Sequence, residues 1–341
     1  MDGNAQVIAL LERALAQART RPTRACALTM VEGISAAIMM TGDTTASAQL
    51  NLGLDMIKSV IMQRNVNVYD AVQSDAAPAN RVECDLASFP ICFDFTCWLV
   101  ACEMLRIKES APAPLSIVFK NKPRHDPQGV LAGFVDNVFR PMLPLFGAQE
   151  AADDGTPCRH VDFQSMREVA GLHAQGIEVP RLRRAPQGGH VTLTLRETMH
   201  HVDRNSDFDA WLLFGRWLRK WGEDVIVVRD TARAEEPFGD LCISPTASRD
   251  LTARAALYES ARANLFVSNG PWSLASFGHA PWLCFIKLEE VEQVGVNTPG
   301  YWRDYMGVND EGQLPWATAQ QRFVYQPDTF GNLKSAYEAL Q

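Results

Sequence analysis

The stretch Leu251 to Ile286, LTARAALYESARANLFVSNGPWSLASFGHAPWLCFI, decides the fold. It reads as helix, strand, tight turn, short helix, strand. Thr252 to about Ala263 carries Ala255, Leu257, Tyr258 and Ala261 at helical spacing, and Asn264 to Ser268 is an apolar run of strand length. Asn269-Gly270-Pro271 breaks the strand, because Gly tolerates unusual φ and Pro cannot continue a ladder but suits a helix start. Trp272 to Phe277 has the length of a helix's first turns, and Pro281 to Ile286 is a second buried strand. Ligands of open α/β sheets sit at the carboxyl ends of strands, where helix N-termini offer N–H groups to anions. Asn269-Gly270-Pro271-Trp272-Ser273 is therefore a candidate ligand turn; a purely structural βα turn is the competing reading.

Working upstream, His190 to Leu195 is a strand by β-branched content and alternation, ending in Arg196-Glu197. Ser206, with Asp209 three residues on, resembles the N-terminal cap of a helix over Phe208 to Trp221, which Gly222 ends. Asp224 to Val228 is a parallel-sheet strand followed by Arg229-Asp230-Thr231, and Leu241 to Ser244 follows a loop. Strands alternating with helices predict a Rossmann-like parallel sheet. Arg196-Glu197, Arg204-Asn205-Ser206, Arg229-Asp230 and Ser268-Asn269-Gly270-Pro271 with Ser273 then gather on one rim. Arginine forks match phosphate oxygens, so the rim suits a nucleoside diphosphate. The alternative is that Arg196 and Arg229 merely pair with Glu197, Asp230 or other carboxylates.

The first half is less legible. Residues 1–75 are helical in composition, with Val7, Leu10, Leu11, Ala14 and Leu15 on one face of Ala5 to Arg19, and predict a packing or oligomerisation role. Arg81 to Leu86, a helix over Asp94 to Arg106, a strand over Leu115 to Phe119, a polar loop over Lys120 to Gly129 and an apolar helical run to Phe146 make an αβ pattern. The linker Arg181 to Gly189 sets the boundary between residues 76–185 and 186–341.

Composition narrows the class. The chain has 341 residues, 47% hydrophobic and 21% charged, with net charge −8, which fits a folded protein and argues against a nucleic-acid binder. Eight cysteines occur without a Cys-x-x-Cys pair, no run is apolar enough to span a membrane, and the start lacks a signal peptide's basic flank. These features predict a cytoplasmic protein. Gly-x-Gly-x-x-Gly, Gly-x-x-x-x-Gly-Lys-Ser/Thr and Gly-x-Ser-x-Gly are absent, which disfavours dinucleotide dehydrogenases, P-loop NTPases and elbow hydrolases.

The run VTLTLRE with RNS after it, and LFVSNGPWSLASFGHAPWLCF, resemble the layout of GT-B glycosyltransferases of the fucosyltransferase-like and heptosyltransferase-like kinds. The likeness covers roughly Val191 to Phe285. It implies two Rossmann-like domains facing a cleft, a nucleotide-sugar donor in the second, a glycan or other acceptor, and no metal or cofactor. Arg196 and the N–H groups after Asn269 would stabilise the leaving diphosphate, and Glu197 would orient Arg196 or bind a sugar hydroxyl. A general base is expected from the first domain, with Asp94, His125 and Asp126 as candidates. The tail Thr329 to Leu340 would pack back on the first domain. Within the aromatic and amide-rich segment Tyr301 to Pro327, Gln313 and Trp316 are candidate sugar or base contacts. A nucleotide-sugar epimerase or hydrolase, and a non-catalytic nucleotide- or glycan-binding module, are the alternatives.

Overall fold

A computed structural model describes residues 77–340, apart from 124–125, 127, 162–164, 187, 199–201, 289–297, 300–301 and 303–304. The expected N-terminal helices, and His125, lie outside the described residues.

In the first half, β1 (Arg81–Asp85) leads to α1 (Phe95–Lys108) and β2 (Ser116–Lys120). Then α2 (Val130–Phe134) runs through a π-helical turn, Val135–Phe139, into α3 (Arg140–Leu145); β3 (Gln149–Glu150), β4 (Arg159–His160) and α4 (Met166–Ala174) follow. The strands form a four-stranded sheet in the order β3-β2-β1-β4, parallel throughout. Val82 and Cys84 alternate inward on β1, and α1 is buried along most of its length, with Phe95, Trp98, Leu99 and Met104 inaccessible. Phe95 stacks on Phe139 with centroids 4.0 Å apart, and Trp98 Nε1 donates to Val161 O at 3.0 Å. The π turn thereby seats its last residue, Phe139, against α1.

The second half contains β5 (His190–Thr194), α5 (Phe208–Lys220), β6 (Asp224–Val228), β7 (Cys242–Ile243), α6 (Pro245–Arg249) and α7 (Leu251–Ser260). It continues with β8 (Ala263–Val267), α8 (Gly270–Ala275), β9 (Trp282–Phe285), β10 (Gln321–Val324) and α9 (Phe330–Glu338). Its six parallel strands stand in the order β10-β9-β8-β5-β6-β7. Numbered from β5, that is the doubly wound order three-two-one-four-five-six. The chain winds outward from β5 to β7, then crosses to β8 on the other side of β5, where Thr194 registers with Phe266. The switch point lies between the ends of β5 and β8.

Three expectations are corrected. Helix α5 is capped by Asp207, whose Oδ1 accepts from Ala210 N at 3.1 Å, while Ser206 Oγ accepts from Arg196 N at 3.0 Å. Helix α7 stops at Ser260 because Ala261 is already extended. Among the described residues the tail helix α9 packs on α5 rather than on the first half: Leu333 and Tyr337 join Val191, Trp211 and Phe214 in one buried cluster. Asp328 Oδ2 accepts from Asp207 N at 2.9 Å and Trp211 Nε1 at 2.6 Å, which ties the start of the tail to the start of α5.

The halves share an apolar core. Val82 and Trp98 belong to the same buried cluster as Trp272, Phe277 and Trp316, and Phe146 meets Phe277 edge-on at 6.0 Å. The chain between them is fastened down as well: Leu182 N donates to Phe277 O at 2.9 Å, and Arg181 donates to Gly278 O at 2.9 Å and Trp316 O at 2.5 Å.

Candidate functional site

The site grows from the way β5 ends. Arg196 N and O both engage Ser206, at 3.0 and 3.1 Å, and Arg196 Nη1 donates to Asn205 Oδ1 at 2.6 Å. Asn205 also accepts from Thr198 N at 3.1 Å and donates to Thr198 O at 2.9 Å, so its amide braces the 196–198 loop. Arg204 Nη2 donates to both Ser268 O and Ser268 Oγ at 2.9 Å, which ties this loop to the end of β8. Asn269 Oδ1 accepts from Trp272 N at 3.0 Å and caps α8. The Asn269 Nδ2 donor is buried with no hydrogen-bond partner among the described residues.

Two adjoining cavities open over this rim. One of about 300 Å³ is lined by Thr194, Arg196, Thr198, Asn269, Gly270 and Pro271. The other, about 650 Å³, reaches Gly133 and Asn137 in the first half and Ser248 and Arg249 in the second. Phe93, Phe134, Asp230, Thr231 and Arg254 line both. The site is thus a cleft between the two sheets at the switch point of the larger one, where ligands of doubly wound folds bind.

Phe93, from the first half, forms the roof. A Cβ added to Gly270 would stand 2.6 Å from Phe93 Cδ2, so Gly270 is the residue that admits this close approach. Phe93 packs edge-on against Phe134 at 5.6 Å. Ser273 Oγ donates to Gly270 O at 2.8 Å and Phe93 O at 3.2 Å and stands 3.3 Å from Thr96 Oγ1, so Ser273 belongs to the seam between the halves.

Next to Phe93 is Asp94, whose Oδ2 accepts from the Tyr305 hydroxyl at 3.3 Å. Burial raises its pKa above the usual carboxylate value; hydrogen bonds from Cys92 and Tyr305 and the charge of Arg204 pull the other way. The result is a carboxyl group whose ionisation is shifted toward neutrality. Asp126, the neighbouring candidate, instead accepts from Ala132 N at 2.8 Å at the start of α2.

Several expected contacts lie elsewhere. Glu197 does not orient Arg196. Its Oε1 accepts from Arg229 Nη2 at 2.6 Å and Nε at 2.9 Å, with the two side chains 1% and 6% exposed. Arg229 also donates to Glu236 O at 2.8 Å and Pro237 O at 3.0 Å. A charge that is buried needs a partner, and this pair satisfies itself. Gln313 clips onto the backbone of Phe323, accepting from its N at 2.7 Å and donating to its O at 3.2 Å. Trp316 stacks on Phe277 at 5.6 Å and donates to Ser276 O at 3.1 Å. Trp316 belongs to the shared apolar core, and neither residue lines the two cavities.

Arg254 and the Phe93–Phe134 pair are cleft residues that the sequence reading passed over. A signal for Arg254 was present: it stands three residues after Leu251 and four before Tyr258, on the inward face of α7. Among the described residues, no three His, Cys, Asp or Glu side chains cluster as a metal site, and no helix is long and apolar enough to cross a membrane.

No protein-family model and no curated protein matches the chain. Solved structures do. The E. coli heptosyltransferase WaaC with ADP is 13% identical over 76% of this chain and 100% of its own, at a TM-score of 0.43. The iron-containing dodecameric glycosyltransferase TibC of enterotoxigenic E. coli is 13% identical over 76% of each chain, at 0.41. TibC in complex with ADP-D-beta-D-heptose is 13% identical over 78% of each chain, at 0.42.

Proposed function

We propose that this chain is a glycosyltransferase that takes a sugar from a nucleoside-diphosphate donor held in the cleft and passes it to a glycan or other hydroxyl-bearing acceptor. The observation that carries the reading is the double cavity at the β5/β8 switch point, roofed from the facing half by Phe93; the carboxyl next to it in sequence, Asp94, is assigned the base's role. Asp94 takes the acceptor's hydroxyl proton while the acceptor oxygen bonds to the anomeric carbon. The bond from that carbon to the diphosphate oxygen breaks, and the diphosphate leaves with the electron pair. Cationic and N–H groups of the rim balance the charge that collects on it. The reading requires neither a metal nor a further cofactor. Free thiols at Cys84, Cys97, Cys102 and Cys284 suit a reducing cytoplasm.

Thermal-shift screening against ADP, GDP, UDP and the corresponding sugar conjugates tests it, followed by turnover with an acceptor panel. A shift with none of them overturns the reading. Free or epimerised sugar formed without acceptor would favour a hydrolase or epimerase on the same cleft. Binding without turnover would favour a non-catalytic module.

A further inference from the structure

We propose that Arg254 is the cation that grips the donor's diphosphate, which places the anion at the junction of the two cavities rather than over Arg196. This rests on the glycosyltransferase reading for the identity of the ligand, and on the geometry of Arg254 alone for its being an anion.

Arg254 is 7% exposed and lines both cavities. Its Nε donates to Ala247 O at 2.6 Å and its Nη2 to Ser248 O at 2.8 Å. These carbonyls end α6 and hold the guanidinium in one orientation, but they carry no charge to neutralise it. Among the described residues no carboxylate comes within ion-pair distance; Asp230 lines the same cavities and stays beyond it. The contrast with Arg229 is direct: that guanidinium is equally buried and has Glu197 at 2.6 Å. An uncompensated buried charge is costly enough that proteins pair it or use it on a ligand. A guanidinium presents parallel N–H donors that match two phosphate oxygens, which a neutral sugar or base edge does not require.

The surroundings hold Arg254 at the switch point. Tyr258, one turn further along α7, meets the Thr194 hydroxyl at 3.0 Å, and Thr194 is the last residue of β5 and lines the smaller cavity. The diphosphate therefore lies between β5 and α7, with the nucleoside on one side of it and the sugar on the other.

The test is titration calorimetry of the wild type, Arg254→Gln and Arg254→Lys with inorganic pyrophosphate, with ADP, GDP and UDP, and with the matching nucleosides. The Gln variant should weaken diphosphate binding by about thirtyfold, the worth of a charged hydrogen-bonded pair, while nucleoside binding changes less than about threefold. The Lys variant, which keeps the charge and loses the fork, should lose about tenfold on the diphosphate alone; it decides the matter if the Gln variant does not fold. Equal losses for nucleoside and diphosphate would reduce Arg254 to a structural brace and overturn the proposal, as would unchanged pyrophosphate binding. A wild type that binds pyrophosphate but no nucleotide, with pyrophosphate lost in Arg254→Gln, would uphold the anion site while sinking the glycosyltransferase reading. A wild type that binds neither overturns both.

Discussion

The Tyr305 hydroxyl donates to Asp94 Oδ2 at 3.3 Å across 211 positions of sequence. Tyr305 is fixed there from both ends. Its carbonyl accepts from Arg167 N at 3.1 Å, at the start of α4. Two residues on, Gly307 takes φ +61 and comes so close to Arg167 that an added Cβ would lie 2.7 Å from its Cα. A late segment of the chain thus reaches over the first half and holds the proposed base. A phenol donor favours the ionised carboxylate, so Tyr305→Phe should raise the Asp94 pKa further. The base works ionised, so the rising acid limb of kcat/KM moves to higher pH, with the alkaline plateau kept within about threefold. A pH-rate profile reads this directly; a uniform loss at all pH values would mean that Tyr305 serves only packing.

Replacing the proposed base, Asp94, separates activity from stability. Asp94→Asn should cost about 10²- to 10⁴-fold in turnover. The folded pKa of Asp94 lies above its unfolded value, so the folded state binds more protons between the two. Its contribution to stability is therefore fully present below the unfolded pKa and lost as pH rises through the folded one. Asn carries no such burden. The variant's melting temperature should gain on the wild type's as pH increases from 4 to 8, and scanning both proteins across that range checks the sign.

The Gly270–Phe93 contact predicts a coupled pair of substitutions. Gly270→Ala drives a methyl group into Phe93, whose backbone carbonyl is held by Ser273 and whose ring is held by Phe134. Overpacking of this kind costs about 1–3 kcal/mol. Phe93→Ala should relieve it, so the double variant is more stable than the sum of the singles requires. Urea denaturation of the four proteins in the cycle measures the coupling, and strict additivity would show that the two residues do not meet.

Glu197, expected at the chemistry, is instead the partner of a buried cation. Glu197→Ala leaves the buried Arg229 with only the exposed Glu236 carboxylate, 3.7 Å away, and should destabilise the fold by up to about 3–5 kcal/mol. A denaturation midpoint close to the wild type's would contradict the pairing.

The second half was legible because its central strands, β5 and β8, are buried on both faces. Ala263–Val267 and Asp224–Val228 are short apolar runs between helices, and Asn269-Gly270-Pro271 punctuates them unmistakably. The order of the strands was not, since it depends on which edges pair, and the switch point appears only once β8 is placed beside β5. Local chemistry misled where two neighbours diverge: Arg196 faces the cleft, while Glu197 turns away to Arg229. Gln313 and Trp316 show a different ambiguity. An amide and an indole that could satisfy a sugar satisfy a backbone equally well, and here they bond Phe323 N and Ser276 O. Arg254 was hidden by its setting, a single cation on an otherwise inward-facing helix surface.

The shared core also governs how the molecule comes apart. Cutting the chain near residue 186 would uncover Trp272, Phe277 and Trp316, which are at most 7% exposed when the halves are joined. Each buried aromatic of that kind is worth about 1.5–3 kcal/mol or more on exposure, a large share of any single domain's margin. The two sheets should accordingly melt as one cooperative unit, giving a single calorimetric peak. A fragment carrying only the six-stranded sheet would expose a sticky apolar face and aggregate, so tests of the proposed donor binding will need both halves together.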